Sequence, residues 1–130
     1  MPNPKILIID DDEGIRTQLK WGLEGYEVIT ANSRSHAIEQ FELHHPPLVT
    51  LDLGLPPDAE GTTEGFATLK EILLKAPETK VVIVSGSEDM GNAETARNNG
   101  AFEYYPKPVE LFRLQQVIQQ AYADYQTSLK

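Results

Sequence analysis

The 130-residue sequence contains no cysteine. A disulfide framework and a thiolate metal site are therefore both excluded. Long apolar runs are also missing, because no stretch approaches the roughly 20 residues of a membrane-spanning helix. The opening Met-Pro-Asn-Pro-Lys lacks the apolar core of a secretory signal, and the apolar run at 6–9 is too short to supply one. We expect a cytoplasmic protein that does not associate with a membrane.

Positive charge is scarce as well. Eleven Lys and Arg residues stand against 20 Asp and Glu residues, which gives a net charge of -9. Because direct nucleic-acid binding needs a basic surface, we do not expect this chain to bind nucleic acid itself. An acidic protein is compatible with a bound metal cation, and the length is that of one domain.

Short apolar runs alternate with helical patterns along the whole chain. The predicted strands lie at 5–10, 26–30, 48–52, 80–85 and 102–105, and the first is a continuous apolar run typical of a strand buried on both faces. The helical patterns lie at 13–24, 35–43, 65–75, 90–99 and 111–125, and Gly25 is the expected C-terminal cap of the first. This alternation predicts an α/β fold, a flavodoxin-like (βα)5 doubly wound parallel sheet with strand order 2-1-3-4-5.

Polar side chains stand where four of the predicted strands end. They are Asp10, Asp11 and Asp12 after the first strand, Asp52 after the third, Ser85 at the end of the fourth and Lys107 after the fifth. The carboxyl ends of parallel strands share one sheet edge, and ligands bind there between the first and third strands. Clustered carboxylates repel one another unless a cation joins them, and oxygen ligands without His or Cys suit Mg²⁺. A carboxylate nucleophile beside Mg²⁺, a lysine and a hydroxyl is an arrangement for phosphoryl transfer. Asp12 has an equally good alternative role as the cap of the first helix.

Four motifs carry a resemblance that extends along essentially the whole chain. They are Ile-Leu-Ile-Ile-Asp-Asp-Asp-Glu at 6–13, Leu-Asp-Leu-Gly-Leu-Pro at 51–56, Val-Ile-Val-Ser-Gly at 82–86 and Tyr-Tyr-Pro-Lys-Pro at 104–108. With these motifs the chain resembles the receiver domain of two-component response regulators. The resemblance implies a signalling switch that a sensor histidine kinase phosphorylates, that dimerises on phosphorylation, and that catalyses only its own phosphorylation and dephosphorylation.

The resemblance also implies a role for individual residues. Asp52 would be the phosphoacceptor, and Asp11 a direct Mg²⁺ ligand. Asp10 would act on the metal mainly through water, and Gly54 through its backbone carbonyl. The remaining roles fall on Ser85 as the switch hydroxyl, Lys107 as the catalytic lysine, Tyr104 as the switch aromatic and Pro108 as a cis-proline.

The segment between Pro56 and Gly65 is longer than is usual in the family. This longer loop resembles receivers of nitrogen-regulation-type regulators, in particular those that control exopolysaccharide and cell-surface protein-sorting genes. We therefore expect residues 1–130 to be a single receiver domain taken from a longer transcription regulator, with a free-standing receiver as the alternative. Our hypothesis is that the inserted residues 57–64 shape kinase access and do not bind the metal, and a tolerated surface insertion remains an equal alternative.

Two rival functions fit parts of the sequence. A Mg²⁺-dependent phosphohydrolase with an aspartate nucleophile would use the Asp-x-Asp of 10–12, but it would normally have Gly-Thr straight afterwards and a cap domain. A flavodoxin-like cofactor module would need a phosphate-binding loop after the first strand, where three aspartates would instead repel phosphate. Turnover of a phosphate ester would identify the hydrolase, and a yellow colour the flavin module.

Overall fold

The fold follows from the alternation of buried strands and amphipathic helices. A computed structural model describes residues 3–57, 61–86 and 90–129. Its strands are β1 (Lys5–Ile9), β2 (Glu27–Ala31), β3 (Leu48–Leu51), β4 (Lys80–Ser85) and β5 (Glu103–Pro106). Its helices are α1 (Glu13–Gly22), α2 (Arg34–His44), α3 (Thr63–Lys75), α4 (Met90–Asn98) and α5 (Leu111–Ser128). The strands form one parallel sheet in the order β2-β1-β3-β4-β5, which confirms the predicted α/β topology.

The central strand β1 shows why the sheet is covered on both faces. Its residues 6–9 are all buried, and alternate side chains belong to two separate cores. Leu7 and Ile9 pack in the core that α2 and α3 cover, whereas Ile6 and Ile8 pack in the core that α1 and α5 cover. A continuous apolar run is thus the pattern that a strand between two helical layers requires.

The predicted end of the first helix is wrong. Helix α1 ends at Gly22 with Leu23 as its C-terminal cap, so residues 23 and 24 are not helical. Gly25 does adopt a positive φ of 89°, but in the turn that leads into β2. Smaller shifts occur elsewhere, since α5 continues to Ser128 and β5 begins at Glu103.

A close approach fixes the start of α3 against the end of β3. A Cβ atom on Gly65 would lie 2.6 Å from the carbonyl oxygen of Leu53 and would also overlap with the Leu53 Cα. Leu53 directly follows Asp52, so this glycine lets the helix pack against the backbone beside the predicted phosphoacceptor.

Some large apolar side chains face solvent. Trp21 on α1 is 76% exposed and Phe112 on α5 is 64% exposed, so Trp21 belongs to neither core. Within the described ranges, no helix combines the length and apolar character needed to cross a membrane.

Candidate functional site

The acid loop after β1 comprises residues 10–12, and the hydrogen bonds that cap α1 hold it in place. Asp12 is the N-terminal cap of α1, and its Oδ1 accepts hydrogen bonds from the amides of Gly14 (2.8 Å) and Ile15 (3.3 Å). The alternative role predicted for Asp12 is thereby confirmed. Its own amide donates to Asp10 Oδ1 at 2.9 Å. Asp11, between these two anchored residues, is exposed.

Three carboxylates converge at the edge of the sheet. Asp10, Asp11 and Asp52 each present an oxygen within 4.8 Å of the other two, with Asp10 and Asp52 buried and Asp11 exposed. The backbone explains this convergence, because the Asp52 amide donates to the Ile9 carbonyl at 2.9 Å, one step beyond the β1–β3 pairing. The sheet register therefore brings the ends of β1 and β3 together at the predicted place.

Lys107 closes the cluster from the β5 side. Its ammonium lies 2.9 Å from Asp10 Oδ2 and 3.4 Å from Asp52 Oδ2. Burial lowers the pKa of Lys107, but the hydrogen bond and charge of Asp10, with a contribution from Asp52, outweigh that effect and raise the pKa above its ordinary value. The lysine is held as a cation between the two buried carboxylates.

Asp10 carries an electrostatic cost because its carboxylate is buried. Its pKa is raised from the ordinary 3.8 to about 6 as the net of several effects, of which burial is the largest. The Asp12 amide and Lys107 lower the pKa, while the charge of Asp52 raises it further. Three carboxylates and one ammonium leave a formal charge of -2, and the donor set consists of oxygen atoms alone, so the site fits a hard dication such as Mg²⁺.

The remaining predicted residues lie around this cluster. Ser85 is 2% exposed at the end of β4, and its carbonyl accepts the Lys107 amide at 2.9 Å. The Gly54 amide donates a hydrogen bond to Asp52 Oδ1 at 3.3 Å. Tyr104 is half-buried on β5, beside Ile83 of β4, and the Lys107–Pro108 peptide bond is cis.

The inserted segment 57–64 is described only in part. Residues 58–60 lie outside the described residues, so the hypothesis on this loop stays a prediction. Its far end is anchored, because Glu64 lies 3.7 Å from Arg34 at the start of α2. Arg34 also pairs with Glu71 of α3 at 3.2 Å, which joins the two helices next to the insertion.

One contact at the site was not predicted from the sequence. Arg16 on α1 donates from Nη1 to the backbone carbonyl of Asp10 at 2.7 Å. The sequence signals only that Arg16 is in an unfavourable place, because a cation near the positive end of a helix is disfavoured, and it does not identify the acceptor. Arg16 is the fourth residue of α1 and therefore lies close to that positive end.

Known proteins resemble this chain over most of its length. The family model described as "Response regulator receiver domain" matches residues 6–119. Regulatory protein AtoC of Escherichia coli K12 is 31% identical over 119 residues, which cover 90% of this chain and 25% of AtoC. The DNA-binding transcriptional regulator NtrC of Klebsiella pneumoniae is 29% identical over 121 residues, covering 92% of this chain and 25% of NtrC. The chain thus spans about a quarter of the length of these curated relatives.

Solved structures agree with the sheet topology. A CheY-like response regulator receiver domain protein from Methanospirillum hungatei JF-1 superposes with a TM-score of 0.88 at 29% identity, covering 97% of this chain and 98% of that chain. NtrX from Brucella abortus, in complex with ADP, also superposes with a TM-score of 0.88, at 31% identity and covering 97% of this chain and 28% of that chain.

Proposed function

The chain belongs to the response regulator receiver domain family, and from this premise we propose that Asp52 accepts a phosphoryl group from a sensor histidine kinase with the help of Mg²⁺. The observation that carries the proposal is the convergence of Asp10, Asp11 and Asp52 within 4.8 Å, with Lys107 in contact with two of them. Family membership itself favours a phosphoryl-accepting switch over the phosphohydrolase.

Asp52 is the residue best placed to act as the nucleophile. Its backbone is fixed by the bond to Ile9, and its two carboxylate oxygens face Gly54 and Lys107. In the transfer, one Asp52 oxygen forms a bond to phosphorus while the bond from phosphorus to the donor's leaving atom breaks, and the leaving group departs with that electron pair. Lys107 offsets the negative charge that gathers on the transferring oxygens.

Asp10, Asp11 and Asp52 would hold the metal, and the Gly54 carbonyl is the further ligand that the resemblance implies. When bound, Mg²⁺ would supply charge neutralisation and orientation of the phosphoryl group. The buried Asp10 benefits from such an ion, because burial disfavours its ionised form.

The signal would leave the site through β4, β5 and α4. Ser85 ends β4 and Tyr104 lies on the neighbouring strand, so a phosphoryl group that draws the Ser85 hydroxyl inward opens space for the Tyr104 ring. Of the described side chains of α4, residues 91–98, only Ala96 is buried, which makes this helix the element easiest to shift. The surface of α4, β5 and α5 would then form the contact for a second copy or an output domain.

The biological setting follows from the relatives. AtoC and NtrC are regulators in which the matched region is about a quarter of the length. We infer that this receiver likewise controls an attached transcription-regulating output, and that any DNA contact is made there and not by residues 1–130.

Intact-mass measurement tests the central proposal. Incubation with acetyl phosphate and Mg²⁺ should add the mass of one phosphoryl group, and the gain should vanish on chelation of Mg²⁺ and in Asp52→Asn. Asp12→Asn is the matched control, because it removes a nearby exposed carboxylate yet keeps a good helix cap, and it should still be labelled. Labelling that persists in Asp52→Asn would place the acceptor on another residue.

A further inference from the structure

Arg16 connects α1 to the acid loop that precedes it. Its guanidinium donates to the carbonyl of Asp10 at 2.7 Å, and its side chain is half-buried. This bond spans the acid loop, because it joins the first residue of the loop to the fourth residue of the helix. A charge-assisted hydrogen bond to a carbonyl is among the stronger kinds available to a side chain.

The loop backbone is held at both ends. At Asp10, the amide donates to the Ala31 carbonyl at 3.1 Å and the carbonyl accepts from Arg16. At Asp12, the side chain caps α1 and the amide donates to Asp10. Asp11 lies between these anchors and is exposed, so its carboxylate is directed by the backbone on either side and not by packing of its own side chain.

We propose that Arg16 is a positioning residue for the magnesium site, which fixes the Asp10 carbonyl and so directs the carboxylate of Asp11 toward Asp10 and Asp52. The inference rests on the metal site of the proposed function. Ligands of a metal gain affinity when outer residues hold them in the required orientation, and they lose it when those residues are removed.

The direction in which removal of Arg16 changes the Mg²⁺ affinity distinguishes positioning from simple electrostatics. Arg16 is a cation beside a site for a dication, so its charge alone repels Mg²⁺. Removal of Arg16 would strengthen Mg²⁺ binding if charge were its whole contribution. Removal weakens binding if the hydrogen bond to Asp10 directs the ligands.

A Mg²⁺ titration followed by NMR measures this sign. The amide signals of Asp11 and Gly54 report binding in the wild type, Arg16→Ala, Arg16→Lys and Lys20→Ala. In Arg16→Ala the dissociation constant for Mg²⁺ should rise about tenfold, at the lower end of the losses known for outer residues of metal sites. Arg16→Lys keeps the charge but loses the forked guanidinium, so its dissociation constant should rise as well. Lys20→Ala removes an exposed cation from the same helix and should bind Mg²⁺ as the wild type does.

The two proposals fail in different ways. A wild-type protein whose amide signals ignore Mg²⁺ would contradict the metal site itself. A wild type that responds, together with an Arg16→Ala variant that binds Mg²⁺ equally or more tightly, would overturn the positioning role alone. Amide signals of α3 and α5 show whether Arg16→Ala is folded, and if it is not, the affinity of Arg16→Lys decides the question.

Discussion

The ammonium of Lys107 lies closer to Asp10 than to Asp52, at 2.9 Å against 3.4 Å. Lys107 therefore compensates mainly the carboxylate that burial disfavours, and less the proposed phosphoacceptor. A dication that balances part of the negative charge of Asp10 would let Lys107 interact more strongly with Asp52 and with a phosphoryl group on it. The electrostatics of the apo protein and of the loaded site are thus linked through Asp10.

Magnesium should stabilise the protein more at neutral than at acidic pH. The pKa of Asp10 is about 6, and a proton on this carboxyl competes with the metal. The rise in Tm caused by Mg²⁺ should therefore be large at pH 7.5 and should shrink as the pH falls through 6 to 5. Thermal unfolding at fixed Mg²⁺ concentration measures it, with Asp11→Ala as the control that lacks the response. An equal rise at both pH values would contradict the link to Asp10.

Asp10→Asn should stabilise the protein in the absence of divalent metal. Because the folded-state pKa of Asp10 is raised from 3.8 to about 6, the stabilisation from its protonated form is fully present below about pH 4 and is lost as the pH rises through about 6. At pH 7 the neutral amide removes this cost, and the free energy of unfolding should rise by about 1–3 kcal/mol. This gain in the free energy of unfolding should be smaller than the full pKa shift of Asp10 implies, because Asn has one acceptor oxygen where Asp has two.

Urea unfolding in the presence of EDTA measures this change. Asp12→Asn is the matched control, since Asn also caps helices well, and its stability should stay within about 0.5 kcal/mol of the wild type. A stabilisation by Asp10→Asn that is as large at pH 4 as at pH 7 would rule out the burial of charge as its cause.

Gly65→Ala should damage both stability and phosphorylation. The added methyl group would overlap with the Leu53 backbone, which cannot move without Asp52 moving too. We expect the free energy of unfolding to fall by about 2 kcal/mol or more and labelling by acetyl phosphate to slow. Gly22→Ala is the contrasting control, because its Cβ would meet the two methyl groups of Leu111, at 2.5 and 2.8 Å, and a side chain can shift at lower cost than backbone. Equal losses in the two variants would show that the backbone contact has no special role.

Amide hydrogen exchange should show which helix responds to the phosphoryl group. Residues 90–98 of α4 should exchange faster than α3, whose buried face contains Gly65, Thr68, Leu69 and Ile72. Beryllofluoride with Mg²⁺, which mimics the phosphoryl group, should slow α4 and leave α3 unchanged. Ser85→Ala should still be phosphorylated but lose this slowing. Exchange in α4 that is slow from the start and indifferent to the mimic would move the readout elsewhere.

The sequence was sufficient for the fold because β1, β3 and β4 are plain apolar runs, and because α1, α3 and α5 each have a clear apolar stripe. It was also sufficient to bring Asp10, Asp11 and Asp52 together, since parallel strands place their carboxyl ends at one edge. Finer features depend on backbone geometry that no pattern encodes. The Arg16 bond depends on where a three-residue loop directs one carbonyl, and the end of α1 at Gly22 depends on a turn that uses Gly25 three residues later.

The exposure of Trp21 gives the protein a built-in optical reporter. It is the single tryptophan of the chain and is 76% exposed on α1, whereas the carboxylates cluster at the ends of β1 and β3. Its fluorescence therefore starts from the emission of an indole in water. A protein that covers this side of α1 would shift that emission to shorter wavelength, so docking can be followed without an attached dye.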